Sequence, residues 1–307
     1  MKFVTYNIQY GLGKDGKYDL RRIADAVQGA DVIALQEVER FWQRSGMIDQ
    51  AAEISAMLPD HHWDFAAGLD MDASYCGDDG KLVNRRRQHG VMLLSKNPII
   101  SARHFLLPKF GTLVQHSTQH VLLEAVIAMP AGPIRVNALK FCHLCAGTRM
   151  PQIKFVLKLH AQAVGGGDVW SGSHPNPQSG WTEGGEPPMP RDAIFMGDMN
   201  FPPKSAEYDA VVGPTSHHHG RINRIDGLLD AWVAADHAED EGITCPGVAD
   251  PHEPAKGIPA RLDYAFVTPA LARRVQSAWI DEEAEGSDHQ PVWFEIDVES
   301  PEPRLAR

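Results

Sequence analysis

Four short stretches of the chain place carboxylate, amide and imidazole side chains next to apolar segments. They are Tyr6-Asn7-Ile8-Gln9, Leu35-Gln36-Glu37-Val38, Met196-Gly197-Asp198-Met199-Asn200 and Ser287-Asp288-His289-Gln290-Pro291. Oxygen and imidazole groups of this kind are those that proteins use to hold hard cations and to move protons. Catalytic side chains are usually mounted at strand ends, where a rigid element holds them and solvent reaches them. Each stretch alone also fits an ordinary turn.

The segments around these stretches predict the elements that must position them. Lys2–Ile8 alternates in polarity and Asp31–Leu35 is a short apolar run, so both are predicted as strands. Asp19 is a predicted helix cap, and Ala131-Gly132-Pro133 is typical of a hairpin turn. Further strands are predicted at Gly90–Ser95, Val121–Ala128, Ile134–Cys142, Ala193–Met196, Arg261–Val267 and Val292–Ile296, and helices at about Asp49–Leu58, Pro151–Val164, Ala206–Val212 and Pro269–Val275.

This order of elements favours an α/β fold with mixed sheets packed as a sandwich and helices outside, because strands outnumber helices and several are joined by hairpin-like turns. The segment 165–190 is rich in Gly and Pro. Motifs fall on both sides of it, so we interpret it as a flexible insertion within a single domain covering 1–298. Residues 299–307 are expected to form a polar tail.

Composition excludes several classes of protein. The chain has 307 residues, a formal net charge of −11 and 43% hydrophobic residues, which is ordinary for a globular protein. Non-specific attraction to nucleic acid or anionic lipid depends on positive charge and is not expected. No transmembrane segment, membrane anchor or secretory signal is evident, and the few scattered cysteines predict reduced thiols and a cytoplasmic protein. One pair forms the C-x-x-C motif Cys142-His143-Leu144-Cys145, which is compatible with redox or zinc chemistry but lacks a second pair.

Taken together and in order, the four stretches resemble the endonuclease/exonuclease/phosphatase superfamily. That superfamily includes DNase I, abasic-site endonucleases of the exonuclease III type, neutral sphingomyelinases and inositol polyphosphate 5-phosphatases. The matching pieces run from Thr5 to Pro291. They also include Gly90-Val91-Met92-Leu93-Leu94-Ser95 with Pro98, His143-Leu144 followed by Arg149 and Gln152, Pro203 with Ser205, Glu207 and Tyr208, and Arg261-Leu262-Asp263-Tyr264-Ala265-Phe266-Val267.

The resemblance implies a DNase I-like four-layer α/β sandwich of two mixed, mostly antiparallel sheets, with one metal-dependent site at the sheet rim. Glu37 would be the main metal ligand, with Asn7 and Asp288 beside it. Hard oxygen ligands of this kind suit Mg²⁺, with Mn²⁺ as a possible substitute, far better than zinc.

The resemblance also implies catalytic roles for five residues. Asp198 and His289 would activate the attacking water, and which of them takes the proton stays open. Asp263 would orient the His289 ring, Asn200 would hydrogen-bond the phosphate, and His143 would stabilise the transition state or protonate the leaving oxygen.

Alternatives stay open at several of these positions, and Asn7 has one as a residue that satisfies backbone groups in a turn. Asp263 has a structural interpretation as the ion-pair partner of Arg261. Family members commonly carry an Asn two residues before the central His, where this chain has Phe141, so His143 is the least secure assignment. His160 is the fallback, although it is expected to face solvent or core.

Loops are expected to set the substrate. Arg85, Arg86 and Arg87 precede a predicted strand and are candidate phosphate contacts, or simply a solvated charge run. The apolar side chains of Phe105–Gln119 fit a substrate wall or plain packing. The run 217–219 contains three histidines but matches no ligand position of the superfamily, which favours a solvated loop.

The favoured hypothesis is a Mg²⁺-dependent phosphodiesterase or phosphatase that acts on a small or lipid-derived phosphoester. A DNase I-type or abasic-site nuclease is the alternative, because a local basic groove can suffice for nucleic acid. A catalytically silent binding module on the same fold is disfavoured, since the whole set of predicted site residues is retained. No protein partner is evident.

Overall fold

Two six-stranded sheets form the body of the protein, which is described here from a computed structural model covering residues 1–247 and 257–298. The tail predicted at 299–307 lies outside the described residues. In chain order the strands are β1 (Lys2–Asn7), β2 (Val32–Arg40), β3 (His62–Asp72), β4 (Tyr75–Cys76), β5 (Leu82–Val83), β6 (Arg86–Ser95), β7 (Ile99–Leu106), β8 (Val121–Ile127), β9 (Ile134–Lys140), β10 (Ala193–Asp198), β11 (Thr215–Ser216), β12 (Gly220–Arg221), β13 (Leu229–Asp230), β14 (Asp263–Val267), β15 (Val275–Ile280) and β16 (Val292–Ile296). The helices are α1 (Leu20–Ala26), α2 (Gln50–Met57), α3 (Ala146–Gly166), α4 (Ala206–Val212), α5 (Ala231–Ala234) and α6 (Pro269–Ala272).

Both large sheets are mixed and mostly antiparallel, as predicted. The first has the order β15-β16-β1-β2-β6-β3 and the second β13-β14-β10-β9-β8-β7. Within these two sheets β1 and β2 pair in parallel, as do β9 and β10, and the other neighbours are antiparallel. The parallel pairs bring the carboxyl ends of β1, β2, β9 and β10 to sheet edges where side chains can converge.

Three apolar clusters lie between four layers. Side chains alternate along a strand, so Phe3 of β1 faces the second sheet whereas Val4 faces the helices. Strands of both sheets build the central cluster, including Phe3, Val32, Leu93, Leu123, Val136, Met196 and Phe294. Residues of α1 and α2 cover the outer face of the first sheet, and residues of α3 and α4 cover the second. The predicted four-layer sandwich is confirmed.

Four strands of the two large sheets are not predicted from the sequence: β3, β7, β13 and β15. The side chains of β3, β7 and β15 are mostly exposed or half-buried, so these strands lack the apolar pattern on which strand prediction depends, and β13 has only two residues. The helix predicted to reach Val275 is wrong at its end, because α6 stops at Ala272 and Val275 pairs with Ile296 of β16. Strand pairing overrides local helix preference at this position.

The segment 165–190 begins within the last turn of α3 and leads to the start of β10 at Ala193. The predicted water-activating carboxylate, Asp198, is the last residue of that strand. His160 lies on α3 near the start of β9, where Arg135 Nη2 is 2.9 Å from His160 Nδ1. Asp198 lies at the other end of the parallel β9–β10 pair. His160 therefore has a structural contact away from Asp198, and it does not replace His143.

Candidate metal and phosphoester site

Glu37 is set into the site by a bulge in β2. The β2–β6 ladder pairs Gln36 with Val91 and Val38 with Gly90, so Glu37 is the extra residue, and its φ is 61°. A positive φ is unfavourable for a residue with a side chain, and such strain concentrates at functional sites. The bulge frees Glu37 from the alternation of β2 and lets its carboxylate meet Asn7, whose Nδ2 donates to Glu37 Oε1 at 3.1 Å.

Asp198 is fully buried at the end of β10 and is held by two amides. Asn7 Nδ2 and Asn200 Nδ2 each donate to Asp198 Oδ2 at 3.0 Å, and the Asn200 backbone N–H donates to Asp198 Oδ1 at 3.0 Å. Asn200 Nδ2 also donates to the Phe141 carbonyl at 2.9 Å. These bonds fix the orientation of the carboxylate, and they bring two predicted site residues into contact with it.

The backbone around Asp198 depends on Gly197. A Cβ at Gly197 would lie 1.8 Å from the carbonyl oxygen of Leu139 on the neighbouring strand β9. No side chain fits there, so any substitution must push β10 away from β9 at the residue that precedes Asp198.

We therefore expect Gly197→Ala to lower phosphoester hydrolysis by about 100-fold, because misplacing a reacting group by about an ångström costs that much. The variant should also lower the melting temperature. Gly165→Ala is the matched control, since a Cβ there meets no atom within 4 Å. Steady-state kinetics and thermal unfolding of both variants test the expectation, and wild-type kinetics in Gly197→Ala would contradict it.

Asp263 and His289 form a buried pair next to Asp198. Asp263 lies directly across from Asp198 in the β10–β14 ladder, and Asp263 Oδ2 is 2.7 Å from His289 Nδ1. The ligand atoms of Asp198, Asp263 and His289 all lie within 4.8 Å of one another. Desolvation alone would lower the pKa of His289, but the Asp263 carboxylate raises that pKa well above its usual range. The imidazole is thus oriented by a carboxylate, as the predicted role requires.

The structural interpretation of Asp263 as the ion-pair partner of Arg261 is wrong. Arg261 Nη2 lies 2.6 Å from Asp230 Oδ2 and also donates to the Glu239 carbonyl. Both groups of this ion pair are buried. Asp230 thus neutralises Arg261, and Asp263 is left to face His289.

Lys140 is a site residue that the sequence analysis misses. Its Nζ lies 2.6 Å from Glu37 Oε1 and 2.7 Å from Asp198 Oδ2, and its side chain is 12% exposed. Burial alone would lower the pKa of Lys140, but the two carboxylates raise it, and Lys140 in turn lowers the pKa of Glu37 against the effect of burial. The sequence signal that could have found it is a lysine at the end of the apolar strand β9. In the parallel β9–β10 ladder this lysine is paired with Asp198.

The oxygen-rich side of the site fits a hard divalent cation. The carboxylates of Glu37 and Asp198 already converge on the positive charge of Lys140, and the other nearby donor is the Asn7 amide. Asn7 Oδ1 accepts from the Gln9 N–H at 3.1 Å, so its amide must rotate to present oxygen to an ion. Asp288 is half-buried next to His289, and Ser287 Oγ approaches both Asn7 O (2.7 Å) and Asp288 Oδ1 (3.4 Å).

His143 belongs to a different group of side chains. It is exposed after the end of β9, and its ring lies with His120 and Cys142 rather than with Asp198 and His289. Phe141 is buried in the core, with its ring centroid 6.4 Å from that of Phe201. The structure thus gives hydrophobic packing to the position where the resemblance implies an Asn.

The three predicted phosphate-binding arginines point in different directions. Arg86 pairs with Asp70 at 2.8 Å, whereas Arg85 and Arg87, on either side of it, stack on aromatic rings. We call the resulting surface the arginine–aromatic cluster; its members are Tyr10, Phe41, Trp42, Arg44, Tyr75, Arg85 and Arg87. Phe41, Trp42 and Arg44 follow the end of β2, and Arg87 lies at the start of β6, the neighbouring strand.

The apolar segment 105–119 divides between packing and exposure. Leu107 is buried against the second sheet, whereas four neighbours are exposed: Leu106, Phe110, Leu113 and Val114.

The histidines of 217–219 lie in the turn between β11 and β12 and take part in neither group of metal-ligating side chains found in the described part of the chain. In that same part, every helix is too short or too polar to cross a bilayer.

Solved structures with the same fold cover almost the whole chain. An endonuclease/exonuclease/phosphatase from Beutenbergia cavernae is 19% identical with a TM-score of 0.61, covering 100% of this chain and 73% of its own. A mannosyl-6-phosphatase from Bacteroides thetaiotaomicron is 17% identical with a TM-score of 0.60, and the match covers 96% of this chain and 99% of the phosphatase. A 3'-5' exonuclease from Neisseria meningitidis is 15% identical with a TM-score of 0.56, and the match covers 97% of this chain and 100% of the exonuclease. At these identities the likeness carries the fold alone.

No curated protein matches the chain. The sequence does match a model of the Endonuclease/Exonuclease/phosphatase family over residues 4–289. That range contains every residue of the carboxylate, amide and imidazole cluster. The chain is therefore a member of the endonuclease/exonuclease/phosphatase family, whose members are hydrolases acting on phosphoester bonds.

Proposed function

We propose that the protein is a Mg²⁺-dependent phosphoester hydrolase in which an activated water attacks phosphorus in line with the leaving group. The convergence of Asp198, Asp263 and His289 with Glu37 and Asn7 carries this proposal. A carboxylate-oriented imidazole supplies proton transfer, and the neighbouring oxygen ligands supply a place for a hard cation. The two requirements of phosphoester cleavage thus meet within one buried cluster.

Each residue has a defined part in this proposal. Glu37, Asn7 and Asp288 would hold the cation, which when bound neutralises charge on the phosphoryl oxygens. His289 Nε2 points toward Asn7 (3.5 Å), so with Nδ1 bonded to Asp263 it is Nε2 that faces the site and can exchange a proton with water. Asp198 lies beside it as the second candidate for that proton.

Lys140 and Asn200 complete the proposed site. The Lys140 ammonium would remain next to Asp198 and offer a fixed positive charge to a phosphoryl oxygen, which stabilises charge without reorganisation during the reaction. Asn200 has its Nδ2 committed to Asp198 and the Phe141 carbonyl. A direct bond from Asn200 to phosphate would therefore require its amide to exchange one of these acceptors.

For the substrate we favour a small or lipid-derived phosphoester. The net charge of −11 disfavours a long polyanion, and the exposed apolar side chains of 106–114 offer contact area for an apolar leaving group. The mannosyl-6-phosphatase with the same fold is an example of a small-molecule substrate. All four cysteines are free thiols, which is compatible with the cytoplasmic location that we propose.

A nuclease is the second candidate because of the arginine–aromatic cluster. Positive side chains interleaved with rings are a common platform for single-stranded nucleic acid, since the rings stack on bases and the guanidinium groups contact phosphate. Arg44 lies 3.9 Å from the Tyr10 ring centroid and 4.9 Å from that of Trp42. Nicking of supercoiled plasmid or cleavage of an abasic duplex at a rate above that of small phosphoesters would favour this candidate.

The proposal predicts that hydrolysis of bis-p-nitrophenyl phosphate requires Mg²⁺ or Mn²⁺ and stops in EDTA. Glu37→Gln should lower kcat/KM by at least about 100-fold, because it removes a charged ligand from the cation. Glu53→Gln on the exposed face of α2 makes the same chemical change away from the site and should leave kcat/KM unchanged. Hydrolysis that persists in EDTA, or full activity in Glu37→Gln, would refute the proposed role of Glu37.

A further inference from the structure

A second group of metal-ligating side chains lies next to the phosphoester site. His120 directly precedes β8, and Cys142 and His143 follow the end of β9. Because β8 and β9 are antiparallel neighbours, with Leu122 across from Leu139, the start of β8 lies beside the end of β9. One ligand atom from each of the three side chains lies within 4.8 Å of the others.

Two of the three side chains are buried, and one of them, His120, has a ring nitrogen without a structural use. His120 is 6% exposed, Cys142 is 3% exposed, and His120 Nε2 has no hydrogen-bond partner among the described residues. An unpaired buried polar atom is unfavourable, because the loss of its contact with water is not compensated. The backbone of Cys142 is fixed by Gln152 Oε1 (2.9 Å) and Arg149 Nη1 (3.3 Å), so its thiol is held near the imidazoles.

We propose that His120, Cys142 and His143 bind a Zn²⁺ ion at a site separate from the oxygen ligands around Glu37. One thiolate and two imidazoles form a borderline-soft donor set that favours zinc over magnesium. Zinc bonds of about 2.0–2.3 Å place tetrahedral ligands about 3.5 Å apart, so the three atoms must close by little more than about 1 Å. The exposed ring of His143 can supply that movement by side-chain rotation.

The chemistry of binding is balanced within this group. The Cys142 thiol releases one proton to solvent and forms the Zn–S bond, while both histidines bind through neutral nitrogen lone pairs. Three protein ligands leave one tetrahedral position for water or a substrate oxygen, as in catalytic zinc sites.

The different donor chemistry of the two sites allows each to be tested alone. Metal-free full-length protein should bind one equivalent of Zn²⁺ in the presence of excess Mg²⁺, measured by calorimetry and by elemental analysis after desalting. Co²⁺ in place of Zn²⁺ should give a thiolate-to-cobalt charge-transfer band in the near ultraviolet. Cys142→Ser should abolish that band and weaken zinc binding by at least about 100-fold, because it removes the thiolate ligand.

The controls separate this site from the other thiols and from the phosphoester site. Cys145→Ser changes an exposed thiol outside the group and should keep both zinc and the cobalt band. Glu37→Gln should keep zinc while losing Mg²⁺-dependent hydrolysis, so failure of the zinc site and failure of the proposed hydrolase are distinguished. His143→Ala alters an exposed ligand and gives a second variant if Cys142→Ser does not fold.

Three results would overturn the zinc site. They are absence of stoichiometric zinc in the wild-type protein, a cobalt spectrum without a charge-transfer band, and wild-type zinc affinity in folded Cys142→Ser or His143→Ala.

Discussion

Replacing Lys140 by methionine is expected to lower the free energy of unfolding by about 3–5 kcal/mol at neutral pH without divalent metal. Breaking a buried ion pair by removing one partner costs this much, because the remaining charge stays buried and uncompensated. Lys140 Nζ contacts the carboxylates of both Glu37 and Asp198, so its loss leaves two negative charges next to each other. Methionine fills similar space without the charge.

The loss in the free energy of unfolding caused by Lys140→Met should depend on both divalent metal and pH. A divalent cation that binds the folded state restores stability through linkage, so Mg²⁺ or Mn²⁺ should stabilise Lys140→Met more than the wild type. Lys140 holds the pKa of Glu37 below its usual range. That stabilisation is present above the ordinary glutamate pKa of about 4.3 and is lost as pH falls toward the depressed value. The difference between wild type and Lys140→Met should therefore shrink below about pH 4.3.

Urea unfolding in EDTA and in Mg²⁺, followed at several pH values, measures these effects. Lys154→Met makes the same substitution at an exposed position of α3 and should be nearly neutral. Lys140→Arg keeps the charge and should recover part of the lost stability. Equal stability of Lys140→Met and wild type in EDTA would show that Lys140 does not neutralise the carboxylates.

The resemblance carried by the ordered motifs predicted the four-layer sandwich, and three of the four motifs lie at or near the ends of strands whose apolar pattern is strong. β1, β2 and β10 are almost fully buried. Their patterns place Asn7 and Asp198 at strand ends, whereas β2 continues to Arg40 and Glu37 lies at a bulge within it. The edge strands β3 and β7 were missed for the opposite reason, since most of their side chains are exposed or only half-buried. Prediction succeeded where burial dictates the residue type and failed where pairing alone holds the strand.

Contacts between distant strands explain what the sequence could not supply at the site. Lys140 meets Glu37 only because the two sheets bring β9 and β2 together, and no local pattern encodes a pairing across 103 residues. His120 joins Cys142 and His143 through the antiparallel pairing of β8 with β9. The C-x-x-C spacing drew attention to Cys145, yet the structure places a histidine 22 positions before Cys142 in the group instead. Spacing along the chain can indicate metal ligands that lie close in sequence, such as Cys142 and His143. Ligands from distant segments, such as His120, are brought together by the pairing of strands.

Replacing Asp263 by asparagine is expected to lower kcat/KM by about 10²–10⁴, the range that a positioned acid–base group contributes. Asp263 Oδ2 accepts from His289 Nδ1 at 2.7 Å, which fixes the ring and leaves Nε2 toward the site. An amide at this position has no charge to stabilise the imidazolium and can present N–H instead of an acceptor. Asp263 acts through His289, so we regard it as a positioning residue.

The pH dependence distinguishes this role from a merely structural one. Asp263 raises the pKa of His289, so Asp263→Asn should move the His289 limb of the pH–rate profile to lower pH. Asp230→Asn removes another buried carboxylate, the partner of Arg261, and should cost stability without moving that limb. The double variant Asp263→Asn/His289→Ala should be no slower than His289→Ala alone, because residues that act as a unit are not additive. Independent, multiplicative losses in the double variant, or an unmoved limb in Asp263→Asn, would mean that Asp263 serves the fold and does not act through His289.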